Sequence, residues 1–388
     1  MASPPRHPSL LTFLEASRLY YNSFIFASQH LTIRILAILL LMTASCEKQE
    51  KKKPSYLPKE LGFIQAVDVS SYPEIAAANT LYYDSNSVAV DLLAQLKNNG
   101  VNTVRLRLWV NPASGHCGFD EVKRFSQQAK SLGFHIWLSV HYSDTWADPA
   151  HQIIPNAWQG LAFDGLKDSL RAYTRRVVKE MQPDIIQLGN EINGGLLLPA
   201  GDMNANKANC IALLQAGSEA VRAEDAACKI MLHVAGLDVA DWFCGQVAAV
   251  DYDVLGFSFY PMWHGKSLTD ASAKLQALAA KYDKQWALAE TAYPFTLDWN
   301  DMTNNIVGLS NQLILPEFPA TASGQKQFVR AMKEMLQGAK NGMGFCYWGG
   351  ECVAWKGPQS TSGSPWENQA LFDFNNKALP ALTVFAEK

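Results

Sequence analysis

Beyond Leu61 the chain alternates between short apolar runs and longer amphipathic stretches with almost no interruption. The apolar runs occupy residues 63–69, 103–109, 135–141, 185–191, 229–235, 254–260, 286–291 and 344–348. Helical spacing of apolar residues recurs at 88–99, 119–132, 166–181, 208–224, 268–282 and 325–339. Parallel strands need a long crossover, usually a helix, so this alternation predicts a parallel sheet with helices outside it. Eight such units in sequence predict an α/β fold, a single (β/α)8 TIM barrel with extended βα loops on its C-terminal face. A doubly wound open sheet competes with it, but the Gly-rich phosphate loop expected after an early strand is absent. Gly100 and Gly133 each follow a helical stretch and precede a strand, as helix-ending glycines do. No repeat or linker divides 61–388, which reads as one domain.

The ends of the predicted strands are polar or aromatic. The first ends at Asp68, the second carries Arg105 and Arg107, and the third runs into His141, Asp144 and Trp146. The fourth delivers Asn190 and Glu191, the fifth His233, the sixth Tyr260 and Trp263, the seventh Glu290 and the eighth Trp348. Taken singly, any of these could be a satisfied structural residue. Gathered on the C-terminal rim of a barrel, they form a site.

Strands four and seven face each other across an eight-stranded barrel, so Glu191 and Glu290 can address one bond from opposite sides. Glycoside cleavage needs such a pair: one carboxyl protonates the leaving oxygen, the other attacks the anomeric carbon or activates water. Glu191, beside an amide and apolar neighbours, suits the acid/base role, and Glu290, with Arg105 and Tyr260 near it, suits the nucleophile. A separation of about 5 Å is predicted, the spacing of a retaining enzyme. Asn190 is expected on the sugar 2-hydroxyl, with Trp146, Trp263 and Trp348 as flat faces for the rings. The loop at 294–323, between strands seven and eight, is expected to border the site.

A net charge of −3 on 388 residues gives no electrostatic footprint for nucleic acid. At the N-terminus, Arg34 precedes an apolar run at 35–42, too short to span a bilayer, and then Thr43-Ala-Ser-Cys46. Residues 1–45 are expected to be a lipoprotein-type signal with Cys46 lipidated, an ordinary cleaved signal being the alternative. Residues 46–60, lysine-rich and proline-bounded, are expected to be a polar tether. The chain would then be exported and lipid-anchored to a bacterial cell envelope. Six cysteines follow, none in a C-x-x-C pair, so no zinc site is expected and the spacing assigns no disulfide. Cys346, inside an apolar run, reads as a core residue.

The sequence resembles glycoside hydrolase family 53, the endo-β-1,4-galactanases acting on type I arabinogalactan. The resemblance rests on Asp68-Val-Ser-Ser71, Val104-Arg-Leu-Arg-Leu-Trp109, His141-Tyr-Ser-Asp-Thr-Trp-Ala-Asp-Pro149, Gln187-Leu-Gly-Asn-Glu-Ile-Asn193, Met231-Leu-His233, Ser258-Phe-Tyr-Pro-Met-Trp-His-Gly265 and Glu290-Thr-Ala-Tyr-Pro-Phe295. It implies a TIM barrel, retention of configuration, Glu191 as acid/base and Glu290 as nucleophile. It also implies Arg105, Asn190, Tyr260 and Trp348 around the reacting sugar, with Asp68, Arg107, His141, Asp144 and His233 at motif positions. No catalytic metal or cofactor is implied, and a monomer is the default. Some bacterial members hold a structural calcium in the late loops, where this chain offers Asp298, Asn300, Asp301 and Asn304. The family commonly continues Glu-Pro after the eighth-strand tryptophan, whereas this chain reads Gly349-Gly-Glu351. Two other readings remain at this stage. One is a related retaining endo-glycanase on mannan, xylan or β-glucan; the other is a non-catalytic glycan-capture lipoprotein, which should have lost a carboxylate.

Overall fold

The structure, a computed structural model, describes residues 61–387. The expected signal at 1–45, the tether at 46–60 and Cys46 lie outside the described residues. Eight strands form the core: β1 (Ile64–Asp68), β2 (Thr103–Leu108), β3 (His135–Val140), β4 (Ile185–Leu188), β5 (Lys229–Ala235), β6 (Val254–Ser258), β7 (Gln285–Thr291) and β8 (Gly342–Tyr347). Each pairs in parallel with the next, and β8 pairs with β1, so the sheet closes into a barrel in chain order. Closure removes every sheet edge, which is why all eight strands tolerate near-continuous apolar sequence.

The helices of seven residues or more are α1 (Leu92–Asn98), α2 (Phe119–Ser131), α3 (Phe163–Met181), α4 (Lys207–Glu224), α5 (Ala240–Gln246), α6 (Leu268–Lys281) and α7 (Ala322–Gln337). Side-chain caps set three of the starts, with Asp91, Ser267 and Thr321 accepting from the amides of Ala94, Asp270 and Gly324. The helix expected at 88–99 begins only at Leu92, because Ala89–Val90 pairs with Tyr82–Tyr83 in a small hairpin. Helix α5 was not expected, since seven residues are too few for a helical period to register. The place of an eighth helix is taken by a 3-10 turn at Pro380–Ala386, anchored by Phe385 stacking on Phe345 at 5.2 Å and by Glu387 pairing with Arg330 at 2.7 Å.

Alternation sorts the strand residues. Ile64, Ala66, Trp137, Ile185, Met231, Val254, Ala287, Ala289 and Cys346 fill the barrel interior as one cluster. Their neighbours in sequence, such as Val67, Ile136, Ile186, Leu232, Leu255, Trp286 and Leu288, join the helices in the outer core. The six cysteines in the described residues are all buried free thiols, Cys346 among them. Most predicted strands ran past the observed C-terminal ends. Strand β4 stops at Leu188 rather than 191, and β6 at Ser258 rather than 260, because the polar residues there leave the ladder to build loops.

The β8–β1 seam depends on one glycine. Gly344 pairs with Ile64, has φ 144°, and a Cβ there would lie 2.1 Å from the Ile64 carbonyl oxygen. Relief would need the two strands to part. Gly344→Ala is therefore expected to destabilise the barrel by about 3 kcal/mol, measured by denaturant unfolding. Gly245→Ala, in α5 with nothing within 4 Å of the new methyl, should change stability by less than about 1 kcal/mol. Equal stability of the two variants would contradict the seam's dependence on Gly344.

Candidate active site

Both glutamates reach the site by breaking strand alternation. In β7, Ala287 and Ala289 point into the barrel and Trp286 and Leu288 point out, so Glu290 should face outward. A register shift intervenes: Phe257 pairs with Leu288 but Ser258 pairs with Glu290. The extra residue is a bulge, and it turns Glu290 inward. In β4, Ile185 and Gln187 point in and Ile186 and Leu188 out. Gly189 then takes φ 85° and Glu191 φ 47°. A Cβ on Gly189 would meet Ile192 Cγ2 at 2.4 Å, so only glycine makes this turn. The left-handed conformation at Glu191 costs on the order of 1 kcal/mol and is held by the structure around it.

Beneath the glutamates lies a buried guanidinium. Arg105 Nη1 donates to Asp68 Oδ2 at 2.7 Å, and Nη2 donates to Glu290 Oε1 and Asn190 Oδ1, each at 2.8 Å. Ser139 Oγ at 3.2 Å and Gln187 Oε1 at 3.4 Å complete its shell. Burial opposes the charge, but Glu290 and Asp68 outweigh it and hold the pKa of Arg105 above its ordinary value. Arginine keeps its proton in proteins, so Glu290 Oε1 has a permanent cation against it.

The two carboxyls therefore differ. Burial lifts Glu290 above its ordinary range; Arg105 pulls against that, Asp68 adds to it, and the Tyr260 hydroxyl, donating to Oε2 at 3.1 Å, also opposes it. Glu191 has no cation in contact. Burial first and the Glu290 charge second push it up to about 8, against a Ser258 hydroxyl that donates to Oε1 at 2.5 Å. Glu290 is the one that ionises first, and Glu191 holds a proton at neutral pH.

A cleft of about 510 Å³ opens over the pair, lined by both glutamates and by Trp146, Tyr260, Trp263, Trp348, Trp366, Asp148, Ile306 and His264 among others. Its aromatic wall is continuous. Trp348 meets Trp146 edge-on at 5.8 Å and Trp366 at 4.5 Å, and Tyr260 lies 5.5 Å from Trp366 and 5.3 Å from Trp263. Ile306 belongs to the loop expected to border the site. A larger hollow of about 690 Å³ near His116 and Arg124 contains neither glutamate.

Of the residues expected to touch substrate, only Trp146, Tyr260, Trp263 and Trp348 line the cleft with the glutamates. Asp68, Arg105, Arg107, His141, Asn190 and His233 are buried below its floor, because they point inward from within the ladder or the first turn beyond it. Asn190 spends its amide inside the protein, accepting from Arg105 and Gln187 and donating to the Ala147 carbonyl at 2.9 Å. Arg107 lies between the rings of Trp109 and Trp146, at 4.7 and 4.8 Å. His141, kept neutral by burial and by Arg107, accepts the Ala147 amide through Nδ1 at 3.0 Å. Asp144 is not in the cleft: its two oxygens accept the backbone amides of Asn111 and Asn156 and tie two loops together. Sequence reasoning missed Ser258 and Gln187, which only the inward face of their strands could have flagged. It also missed Trp366, a tryptophan in a Gly/Ser/Pro-rich loop after the last strand.

That loop begins with the unusual Gly349-Gly-Glu351. A Cβ on Gly350 would come within 2.6 Å of Val67 Cγ1, so the turn packs tightly on β1. Glu351 is buried, accepts the Ser71 amide at 2.8 Å, and is pushed up to about 8 by burial and by Asp68.

The residues expected to hold calcium fare unevenly. Asp298 is satisfied by Thr296, Asn300 donates to the Phe374 carbonyl, and Asn304 is exposed. Asp301 Oδ2, however, is buried without a hydrogen-bond partner, as are Asn305 Oδ1 and Glu367 Oε2. Glu367 Oε1 accepts the amides of Asn300 and Asp301, and the Asn305 side chain also interacts with the Glu367 carboxyl, so the three residues share one neighbourhood. Orphaned buried oxygens of this kind suit a hard cation.

The glycosyl hydrolase family 53 model matches residues 64–385. A protein of Niallia circulans described as an uncharacterized protein in the bgaB 5' region is 33% identical, covering 84% of this chain and 94% of its own length. The endo-beta-1,4-galactanase of Bacillus subtilis strain 168 is 32% identical, covering 83% and 85%. Among solved structures, the Ignisphaera aggregans family 53 catalytic domain superposes with a TM-score of 0.79 at 37% identity, covering 85% of this chain and 98% of that one. The barrel, the two strand-end glutamates and these likenesses converge on one assignment: the chain is a glycoside hydrolase and belongs to glycosyl hydrolase family 53.

Proposed function

We propose that the chain is an endo-β-1,4-galactanase that cleaves galactan, or type I arabinogalactan, by retaining double displacement. The observation that carries this reading is the unequal pair of glutamates under one aromatic cleft in a family 53 chain. Glu290, ionised against Arg105, attacks the anomeric carbon as Glu191 protonates the departing oxygen. Glu191, now a carboxylate, then takes a proton from water, which attacks the same carbon and releases the sugar with its original configuration. Trp348 and Trp146 offer ring faces to the pyranose units, and Trp263 and Trp366 extend that surface. Asn190 serves from below the floor, accepting from Arg105 and so helping to hold the guanidinium against Glu290. Both carboxyls are present, so the glycan-capture alternative loses its premise. The galactanase-named relatives disfavour mannan, xylan and β-glucan.

The proposed chemistry is carried by the two carboxyls. We propose that a calcium-like cation, held by the Asp301 and Glu367 carboxylates and the Asn305 amide oxygen, stiffens the loop after β7 by neutralising the two carboxylates. We also propose that Cys46 is lipidated and that the enzyme is exported and anchored, a reading supported by the Thr43-Ala-Ser-Cys46 sequence.

Glu191→Gln and Glu290→Gln should each lower the release of reducing ends from β-1,4-galactan by at least about a thousandfold; near-wild-type cleavage by either overturns the assignment. The acid must be protonated to act, so kcat/KM should fall as pH rises through the Glu191 value of about 8. A profile flat to pH 10 would contradict that role. The first product seen by proton NMR should be the β-anomer. Moving from EDTA to millimolar calcium should raise Tm by about 5 °C, and an unchanged Tm removes the cation. Cys46→Ala should shift the protein from the membrane to the soluble fraction of a bacterial host; no shift removes the anchor.

A further inference from the structure

The hydrogen bonds behind Glu191 carry a direction. The backbone N–H of Glu191 points at His233 Nδ1 at 3.3 Å. A peptide N–H only donates, so Nδ1 must accept. The Gln187 amide, whose Nε2 lies 2.9 Å from the same ring nitrogen, agrees with this. Asn190 Oδ1, 3.2 Å from Nδ1, receives its protons from Gln187 and Arg105 instead. His233 is neutral, since burial pushes its pKa well below the ordinary value and Arg105 and His264 add to that. Its single ring proton is therefore on Nε2, which donates to Ser258 Oγ at 3.0 Å. The Ser258 hydroxyl, with that acceptor position filled, donates to Glu191 Oε1 at 2.5 Å.

We propose that Ser258, oriented by His233, is a positioning residue that decides which oxygen of Glu191 is the acid. Oε1 is held as a permanent acceptor, so the proton of neutral Glu191 sits on Oε2, the oxygen left to face the cleft. The same bond steadies the carboxylate that forms after the proton is given up, which readies Glu191 for its second role as base. This inference rests on the acid/base assignment of Glu191 above. The peptide N–H at the start of the chain belongs to Glu191 itself, so the turn that presents the carboxyl also sets the tautomer of the histidine behind it. The ionisable groups facing Glu191 from other elements are Glu290 on β7, Arg105 on β2, His233 on β5, Tyr260 and His264 beyond β6 and Asp148 in the loop after β3. None of them contacts Oε1 through a hydrogen bond as Ser258 does.

The test is the pH profile of Ser258→Ala with galactan, beside Ser258→Thr and Glu191→Gln. Removing a donor to the ionised form raises the pKa of the acid, so the alkaline limb of kcat/KM should move to higher pH. At neutral pH, kcat should fall about tenfold with KM changed less than about twofold. Ser258→Thr, which keeps the hydroxyl, should restore both. With a dinitrophenyl glycoside of β-1,4-galactobiose, whose leaving group needs no proton, Ser258→Ala should lose little in the first step. An unmoved alkaline limb, or equal losses on both substrates, overturns the proposal. If Ser258→Ala does not fold, Ser258→Cys, similar in volume and a weak donor, is read in the same way. A Glu191→Gln variant that still cleaves galactan would topple the acid/base reading itself. An inactive Glu191→Gln beside an unaltered Ser258→Ala would topple only the role given to Ser258.

Discussion

The guanidinium of Arg105 is the fixed charge on which the site is built. It is buried on β2 and binds β1 through Asp68, β3 through Ser139, the end of β4 through Gln187 and Asn190, and β7 through Glu290. A buried charge is tolerated only when its donors are matched, and here the five partners come from four different strands. The chemistry thus inherits the geometry of the barrel itself. Arginine suits this place better than lysine, because its planar fork addresses several oxygens at once and cannot lose its proton.

From that charge the division of labour between the glutamates follows. One carboxyl touches the cation and is the more acidic. The other touches only a hydroxyl and feels the first one's charge, so it keeps its proton to about pH 8. Two chemically identical side chains acquire different jobs from their surroundings alone.

The architecture was legible because eight apolar runs and the helical periods between them repeat in one direction along the chain, and the structure has those eight strands in that order. The two glutamates were legible because each ends an apolar run. Depth was not. Arg105, His141, Asn190 and His233 looked like cleft residues, yet they lie under the floor, because sequence gives the end of a strand but not how far above the ladder a side chain stands. Asp144 looked like part of a binding motif but anchors loops, a role written in its backbone partners and invisible in spacing. The oxygens around Asp301 were only partly legible for a similar reason. Glu367 and Asn305 join Asp301 only because the chain after β8 folds back on the loop after β7.

The bulge in β7 makes the function a matter of odd and even. Strand side chains have two addresses, lumen or helix layer, and counting along the chain decides between them. With Ala289 in place the count slips by one and Glu290 is delivered to the lumen. Removing any single residue between Trp286 and Ala289 would restore the regular pleat and send the carboxylate to the helix layer, with the barrel's hydrogen bonds still made. Such a chain would keep its shape and every one of its site residues and lack a nucleophile. In this barrel, residue identity at the site is necessary, and the parity of the strand that carries it is equally so.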